Sequence, residues 1–184
     1  MRRLTGLPAP SAGTARVLGT DRPGNAEGLK RQIGYMTQTF SYYRDLTVWE
    51  NLDFAASVYG FPKKQKKARI EELLTRYELE AQVKQLAGSM SGGQRQKMAL
   101  AASVLHHPKL LFLDEPTNAM DQEMERVVCA RLKELNAAGT TLILSTHRQS
   151  LSAIADRYVI LDQGRKVLDG SQQSVLDLLA ETQL

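Results

Sequence analysis

The chain has 184 residues, 42 % of them hydrophobic and 24 % charged. That composition excludes an intrinsically disordered polymer, and the length fits one domain. Lys and Arg number 24 against 20 Asp and Glu, a formal charge of +4, mild for a nucleic-acid binder whose basic residues must form one large face. The longest clean apolar run, Leu110-Leu111-Phe112-Leu113, falls far short of the ~18 residues a membrane span needs. Cys129 is the single cysteine, beside 3 histidines, which leaves no internal disulfide and too few ligands for a structural zinc cage. A soluble cytosolic chain is expected.

In chain order, residues 1 to 13 read as a tail and a loop, because Pro8-Ala9-Pro10-Ser11-Ala12-Gly13 forbids regular structure. Strands are expected at Thr14 to Leu18 and around Ile33-Gly34-Tyr35-Met36. A helix opens at Thr47-Val48-Trp49-Glu50, where a hydroxyl and a Glu three residues on fit a capping box, and Gly60 with Pro62 ends it. Ile70, Leu73, Leu74 and Tyr77 define a second amphipathic helix. At its start lies the one dense basic cluster, Lys63, Lys64, Lys66, Lys67 and Arg69, read as a solvated helix end, with contact to RNA or an anionic membrane as the alternative. A helix from Ser91 carries Met98, Ala101, Ala102 and Leu105 on one face. His106 and His107 precede Pro108 at its end, where the helix dipole explains them. Lys109 to Leu113 is a short apolar strand of the kind buried on both faces of a parallel sheet. A helix over Glu123 to Asn136 (with Cys129 in its packing), a strand over Thr140 to Ser145, a short helix at Leu151 to Ala155 and a hairpin at Asp162-Gln163-Gly164-Arg165 follow. Strands separated by helices predict an α/β domain with a mainly parallel sheet.

The strand at Leu110 to Leu113 ends in Asp114-Glu115, which places two carboxylates at the carboxyl edge of the sheet, where open α/β sheets bind ligands. There Asp114 can hold Mg²⁺, which takes one or two carboxylates and keeps several waters. Glu115 can orient or deprotonate a water for attack on phosphorus; a strand ending in a polar turn before Pro116 explains the pair equally well. In Ser91-Gly92-Gly93-Gln94 the serine and Gln94 suit a reciprocal cap. The glycines cost roughly 1 kcal/mol each relative to Ala and make sense where an anion approaches the exposed N–H groups and the positive end of the helix dipole. His147 lies just past the strand that ends at Ser145, and the Gln38 amide can touch both a metal-bound water and a moving partner.

In their order and spacing these elements resemble the ATP-binding-cassette (ABC) ATPase domains. Met90-Ser91-Gly92-Gly93-Gln94 resembles the ABC signature, with Met where Leu is usual, a volume-conserving change. Leu110 to Glu115 resembles the Walker B strand with its catalytic glutamate, Pro116 to Asp121 the D-loop, Thr146-His147 the switch histidine and Gln38 the Q-loop glutamine. The resemblance implies a P-loop NTPase fold, with residues of about 47–106 forming a helical signature subdomain and the remainder of 1–184 the ATPase core. It implies ATP and Mg²⁺ as ligands, with Asp114 and Gln38 on the metal, Glu115 on the attacking water and His147 on the γ-phosphate. Ser91, Gly92, Gly93, Gln94 and Asp121 would close the nucleotide site of a second ABC ATPase domain in a head-to-tail dimer. A transmembrane permease on the cytoplasmic face of the membrane would be the other partner.

The family's phosphate loop, Gly-x-x-x-x-Gly-Lys-Ser/Thr, is not found in these 184 residues, and Met1 to Leu7 resembles the end of the helix that follows that loop. A chain lacking its first strands and P-loop is therefore expected, binding ATP weakly and hydrolysing it at background by itself, because that loop supplies most phosphate contacts. The missing strand is expected beside the Walker B strand, leaving unpaired backbone and poor solubility. The leading function is an ATP-binding, ATP-hydrolysing transporter subunit, of exporter type from Leu46-Thr47-Val48-Trp49-Glu50-Asn51-Leu52. The alternatives are a ribosome- or DNA-associated ABC protein, half of a tandem cassette protein, and a non-enzymatic gene remnant. Nucleic acid is the less expected partner.

Overall fold

The computed structural model describes residues 13–22, 26–37 and 41–182; the tail and loop read over residues 1 to 13, apart from Gly13, and the position of Gln38 lie outside them. The chain divides into two compact units, Met1–Ser145 and Thr146–Leu184.

Among the described residues the first element of the first unit is a hairpin of β1 (Ala15–Val17) and β2 (Thr20–Arg22). Leu18 and Gly19 form its turn with φ of +48° and +75°, so Leu18 leaves the strand expected of it. The second strand was not legible because Thr20-Asp21-Arg22 carries no apolar signal. A short α1 (Ala26–Lys30), likewise unread, precedes β3 (Ile33–Met36). Then come α2 (Val48–Val58), α3 (Lys63–Arg76), α4 (Gly92–Val104), β4 (Leu110–Asp114), α5 (Gln122–Ala137) and β5 (Thr141–Ser145). The sheet is parallel, in the order β3-β4-β5. On one face Ile33, Leu110 and Phe112 pack with Val17 and Leu29. Met36, Leu111 and Leu113 are also buried, so β4 is covered on both faces, as its unbroken apolar run requires. Each such side chain contributes roughly 1.5–3 kcal/mol by leaving water. Gly34 sets how closely α4 approaches: a β-carbon there would lie 2.3 Å from the Ser103 carbonyl oxygen and 2.6 Å from Leu111 Cδ1.

The strand order corrects one expectation. Both sides of β4 are taken, by β3 and β5, so no vacancy adjoins the acidic strand. Among the described residues the open sheet edges fall on β3 and β5 instead, because the crossovers through α2–α4 and through α5 deliver one parallel neighbour to each side.

The basic cluster is also not a uniform solvated end. Arg69 is buried, and its guanidinium donates to the carbonyls of Leu105 (3.0 Å) and Val104 (2.9 Å) and to Glu72 (2.8 Å). It thereby satisfies the last turn of α4, whose carbonyls lack intrahelical donors. Lys66 pairs with Asp53 at 2.7 Å, which ties α3 to α2. Lys63, Lys64 and Lys67 remain exposed. His106 is no dipole-stabilised cation: its ring stacks on Tyr59 (centroids 3.7 Å, planes 7° apart), and Nε2 lies 3.0 Å from the Ile33 carbonyl. Burial pushes its pKa down to about 4, so it is neutral near pH 7.

The second unit contains α6 (Gln149–Ser152), β6 (Tyr158–Asp162), β7 (Arg165–Gly170) and α7 (Gln172–Thr182). The expected hairpin is present, with Gln163 and Gly164 both at positive φ (+44° and +78°), the geometry that matches strand twist. The short helix starts earlier than its apolar residues suggest. Ile154 and Ala155 close tighter turns onto Leu151 and Ser152. The last helix was not read from the sequence.

Candidate functional site

The carboxyl edge of β4 carries the acids. Asp114 is in register with Ser145 of β5, whose hydroxyl donates to Asp114 Oδ1; Oδ2 has no partner among the described residues. Glu115 extends the ladder by one bond, its N–H donating to the Ser145 carbonyl at 3.0 Å. It then turns with φ at +50°, in the left-handed region that costs a side-chain-bearing residue roughly 1–2 kcal/mol. The following turn holds that conformation. Asn118 N–H donates to the Glu115 carbonyl (3.1 Å), Met120 N–H donates to that of Thr117 (3.2 Å), and Pro116 and Thr117 are buried. Both acids are half-buried. Strain held by its surroundings at an acidic residue on a sheet edge is the pattern that collects at functional sites.

Asp121 closes the turn and opens the next helix, Oδ1 accepting from Met124 N–H at 2.8 Å. Its first task is thus an N-cap. At the start of α4 the reciprocal cap is complete: Gln94 N–H donates to Ser91 Oγ (3.2 Å), and Ser91 N–H to Gln94 Oε1 (2.9 Å). The N–H groups of Gly92 and Gly93 find no acceptor among the described residues, so they and the helix dipole remain available to an anion.

The glycine pair, read from the sequence as room for an anion, also has a packing cause. A β-carbon on Gly92 would lie 2.9 Å from Ala119 Cβ, and one on Gly93 would lie 2.8 Å from Met124 Sδ. Gly93 is buried and Gly92 half-buried. The fold therefore brings Ser91–Gln94 together with the segment from Ala119 to Met124. His147 belongs to the second unit, two residues past Ser145, and is exposed. Ser145, Ala119 and Met124 were not singled out from the sequence; each acts across space, through a strand register or a helix approach that no local spacing encodes.

The donor set suits Mg²⁺. One free carboxylate oxygen on Asp114, held in place through its other oxygen, and a second acid beside it are hard ligands of the kind a hydrated divalent cation takes. Among the described residues no cluster of three or more His, Cys, Asp or Glu side chains forms a metal cage.

A family model described as ABC transporter matches residues 1–118. The Nod factor export ATP-binding protein I of Mesorhizobium japonicum is 33 % identical over 177 residues, covering 96 % of this chain and 52 % of the relative. The methionine import ATP-binding protein MetN 1 of Acinetobacter baylyi is 35 % identical over 181 residues, covering 95 % and 51 %. The chain thus spans about half the length of the curated relatives it matches. Of solved structures, an ATP-binding subunit of an ABC transporter aligns with a TM-score of 0.87 at 27 % identity, over 100 % of this chain and 81 % of its own. A dimeric ATP-binding cassette in a post-hydrolysis state, bound to ADP and Pi, aligns at 0.85 and 24 % identity, over 92 % and 78 %, a likeness of fold.

Proposed function

The chain belongs to the ABC transporter family, and from that premise we propose that it is an ATP-binding, ATP-hydrolysing subunit that energises a membrane permease from the cytoplasmic face. The observation that carries the reading is the strained Glu115, set in the left-handed region directly after an Asp114 that Ser145 holds by one oxygen. Asp114 offers its remaining oxygen to Mg²⁺, and Gln38 contributes there and toward the permease. Glu115 orients and deprotonates the attacking water as a general base, a role its turn-held backbone supports. His147 contacts the γ-phosphate. When bound, the metal offsets charge on the phosphate oxygens. The open N–H groups of Gly92 and Gly93, with Ser91 and Gln94, close the nucleotide site of a second ABC ATPase domain, and Asp121 lies beside that contact. No helix among the described residues is long and apolar enough to cross a membrane. The direction is export, on the stretch Leu46 to Leu52; the named relatives include both an exporter and an importer component.

Without a Gly-Lys-Ser/Thr triplet in its 184 residues, this chain by itself binds Mg-ATP weakly and turns it over at background. A titration of the purified chain with millimolar Mg-ATP, followed by amide chemical shifts, tests the reading. Shifts are expected at Gly92, Gly93 and Glu115, with the Glu115 response lost in Asp114→Ala. Absence of any response at these amides defeats the proposal. Turnover by the chain alone that Glu115→Gln abolishes would overturn its inactivity.

A further inference from the structure

The signature-like tetrapeptide and the acidic turn meet inside one chain at a single tight point. Ala119 sits at φ +63°, a conformation that side-chain-bearing residues rarely adopt. A β-carbon on Gly92 would come within 2.9 Å of the Ala119 Cβ and 3.8 Å of the Ala119 carbonyl oxygen. Neither group can rotate away: a methyl on a backbone-fixed Cβ has no torsion that relieves a clash. The neighbouring contact is softer, because the atom facing Gly93 is the thioether sulfur of Met124 (2.8 Å), at the far part of a flexible side chain.

We propose that Gly92 and Ala119 form a steric key that couples the first turn of α4 to the turn carrying Glu115, making Ala119 a positioning residue for that acid. The chain of contacts is short. Ala119 lies between two hydrogen bonds of one turn, Asn118 N–H to the Glu115 carbonyl and Met120 N–H to the Thr117 carbonyl. Displacing Ala119 strains both, and with them the φ of +50° at Glu115. The residue type at the second position of Ser91-Gly92-Gly93 is therefore set by a neighbour in the same molecule, independently of any anion. The functional consequence rests on the reading proposed above. If Ser91–Gln94 closes a partner's nucleotide site while Glu115 serves a water, the key transmits displacement of one to the other.

Hydrogen exchange of the purified 184-residue chain, with no nucleotide or metal added, tests the coupling. In Gly92→Ala the amides of Asn118 and Met120 are expected to lose protection by roughly 5- to 100-fold, the range an overpacked contact produces, and the Glu115 amide resonance moves. Ala119→Gly removes the opposing methyl and eases the backbone strain, so alone it leaves protection within about twofold of the parent chain. The double variant Gly92→Ala with Ala119→Gly regains protection and the Glu115 resonance. Leu73→Ala, a core change away from the turn, lowers the melting temperature without a selective loss at Asn118 and Met120. Unchanged protection in Gly92→Ala overturns the proposal, as does a double variant as exposed as Gly92→Ala, or equal local loss in Leu73→Ala. Where Gly92→Ala does not fold, recovery of folding in the double variant supports the key, and continued unfolding refutes it. The Mg-ATP titration and this measurement fail independently, since exchange is read without ligand.

Discussion

Two helices of the first unit begin with the same reciprocal cap and differ in what comes next. At α2, Glu50 N–H donates to Thr47 Oγ1 (3.2 Å), and Thr47 N–H donates to Glu50 Oε2 (2.8 Å). At α4, Ser91 and Gln94 reproduce that geometry. After the cap α2 continues with Val48 and Trp49, good packing residues, whereas α4 continues with Gly92 and Gly93. The start of α2 faces the loop that leads into it. Asn51, 1 % exposed, donates to the carbonyls of Tyr43, Leu46 and Thr47 and accepts from Tyr43 N–H. The start of α4 faces the turn that follows the acids. Caps of the same geometry thus start both helices, and the residues behind them are chosen by what each helix start must meet.

The comparison breaks most sharply at Asn51. Replacing it with Leu leaves buried carbonyls and one N–H without partners at the start of α2, and each such group costs about 1–3 kcal/mol. A stability loss of about 3 kcal/mol or more in urea unfolding is expected, and a loss under ~1 kcal/mol would mean the loop before α2 is not held by this side chain. The far ends of the two helices meet where Tyr59, the C-cap of α2, stacks on His106 beyond α4. Because burial lowers the His106 pKa from 6.5 to about 4, the unfolded chain takes up the proton first. The contribution of neutral His106 is complete above pH 6.5 and is lost as pH falls toward about 4. Urea midpoints measured across that window should fall with pH in the parent chain and fall less in His106→Gln.

The caps themselves give a smaller effect. Thr47→Ala and Ser91→Ala should each cost about 1 kcal/mol, and nearly equal losses would affirm that the two caps are equivalent. Smallest is the pH response. The Thr47 backbone N–H and then its hydroxyl hold the Glu50 carboxyl below its ordinary value of 4.5. Its stabilising share is full above that value and is lost as pH falls through the lowered pKa. Acidification should therefore lower the protection factor of the Thr47 amide, taken relative to the intrinsic exchange rate at each pH, while that of the Ser91 amide, bonded to the uncharged Gln94, holds over the same range. Parallel responses at both amides would show that charge at Glu50 adds nothing to its cap.

Much of this was legible in the chain. Thr47 with Glu50 and Ser91 with Gln94 announce helix starts, because a cap is made by residues three apart. The run Leu110 to Leu113 announces a strand buried on both faces, and Gln163-Gly164 announces a hairpin. Other features were not legible. Arg69 reads as one more cation in a basic cluster, yet it binds carbonyls 35 and 36 residues away. His106 reads as a helix-end cation and is instead a neutral ring stacked on Tyr59. The strand order, which puts β3 and β5 on either side of the acids, follows from crossovers whose course no local pattern records.

The sequence by itself determined the family and the helices and strands of the parallel sheet in their order, since caps and apolar runs act over a few residues. Only the tertiary structure decided that Ser145 holds Asp114, that Glu115 occupies a left-handed turn, and that Gly92 is required by a methyl group on Ala119. Those facts depend on register and on approach between distant segments, where a difference of about one ångström separates contact from overlap.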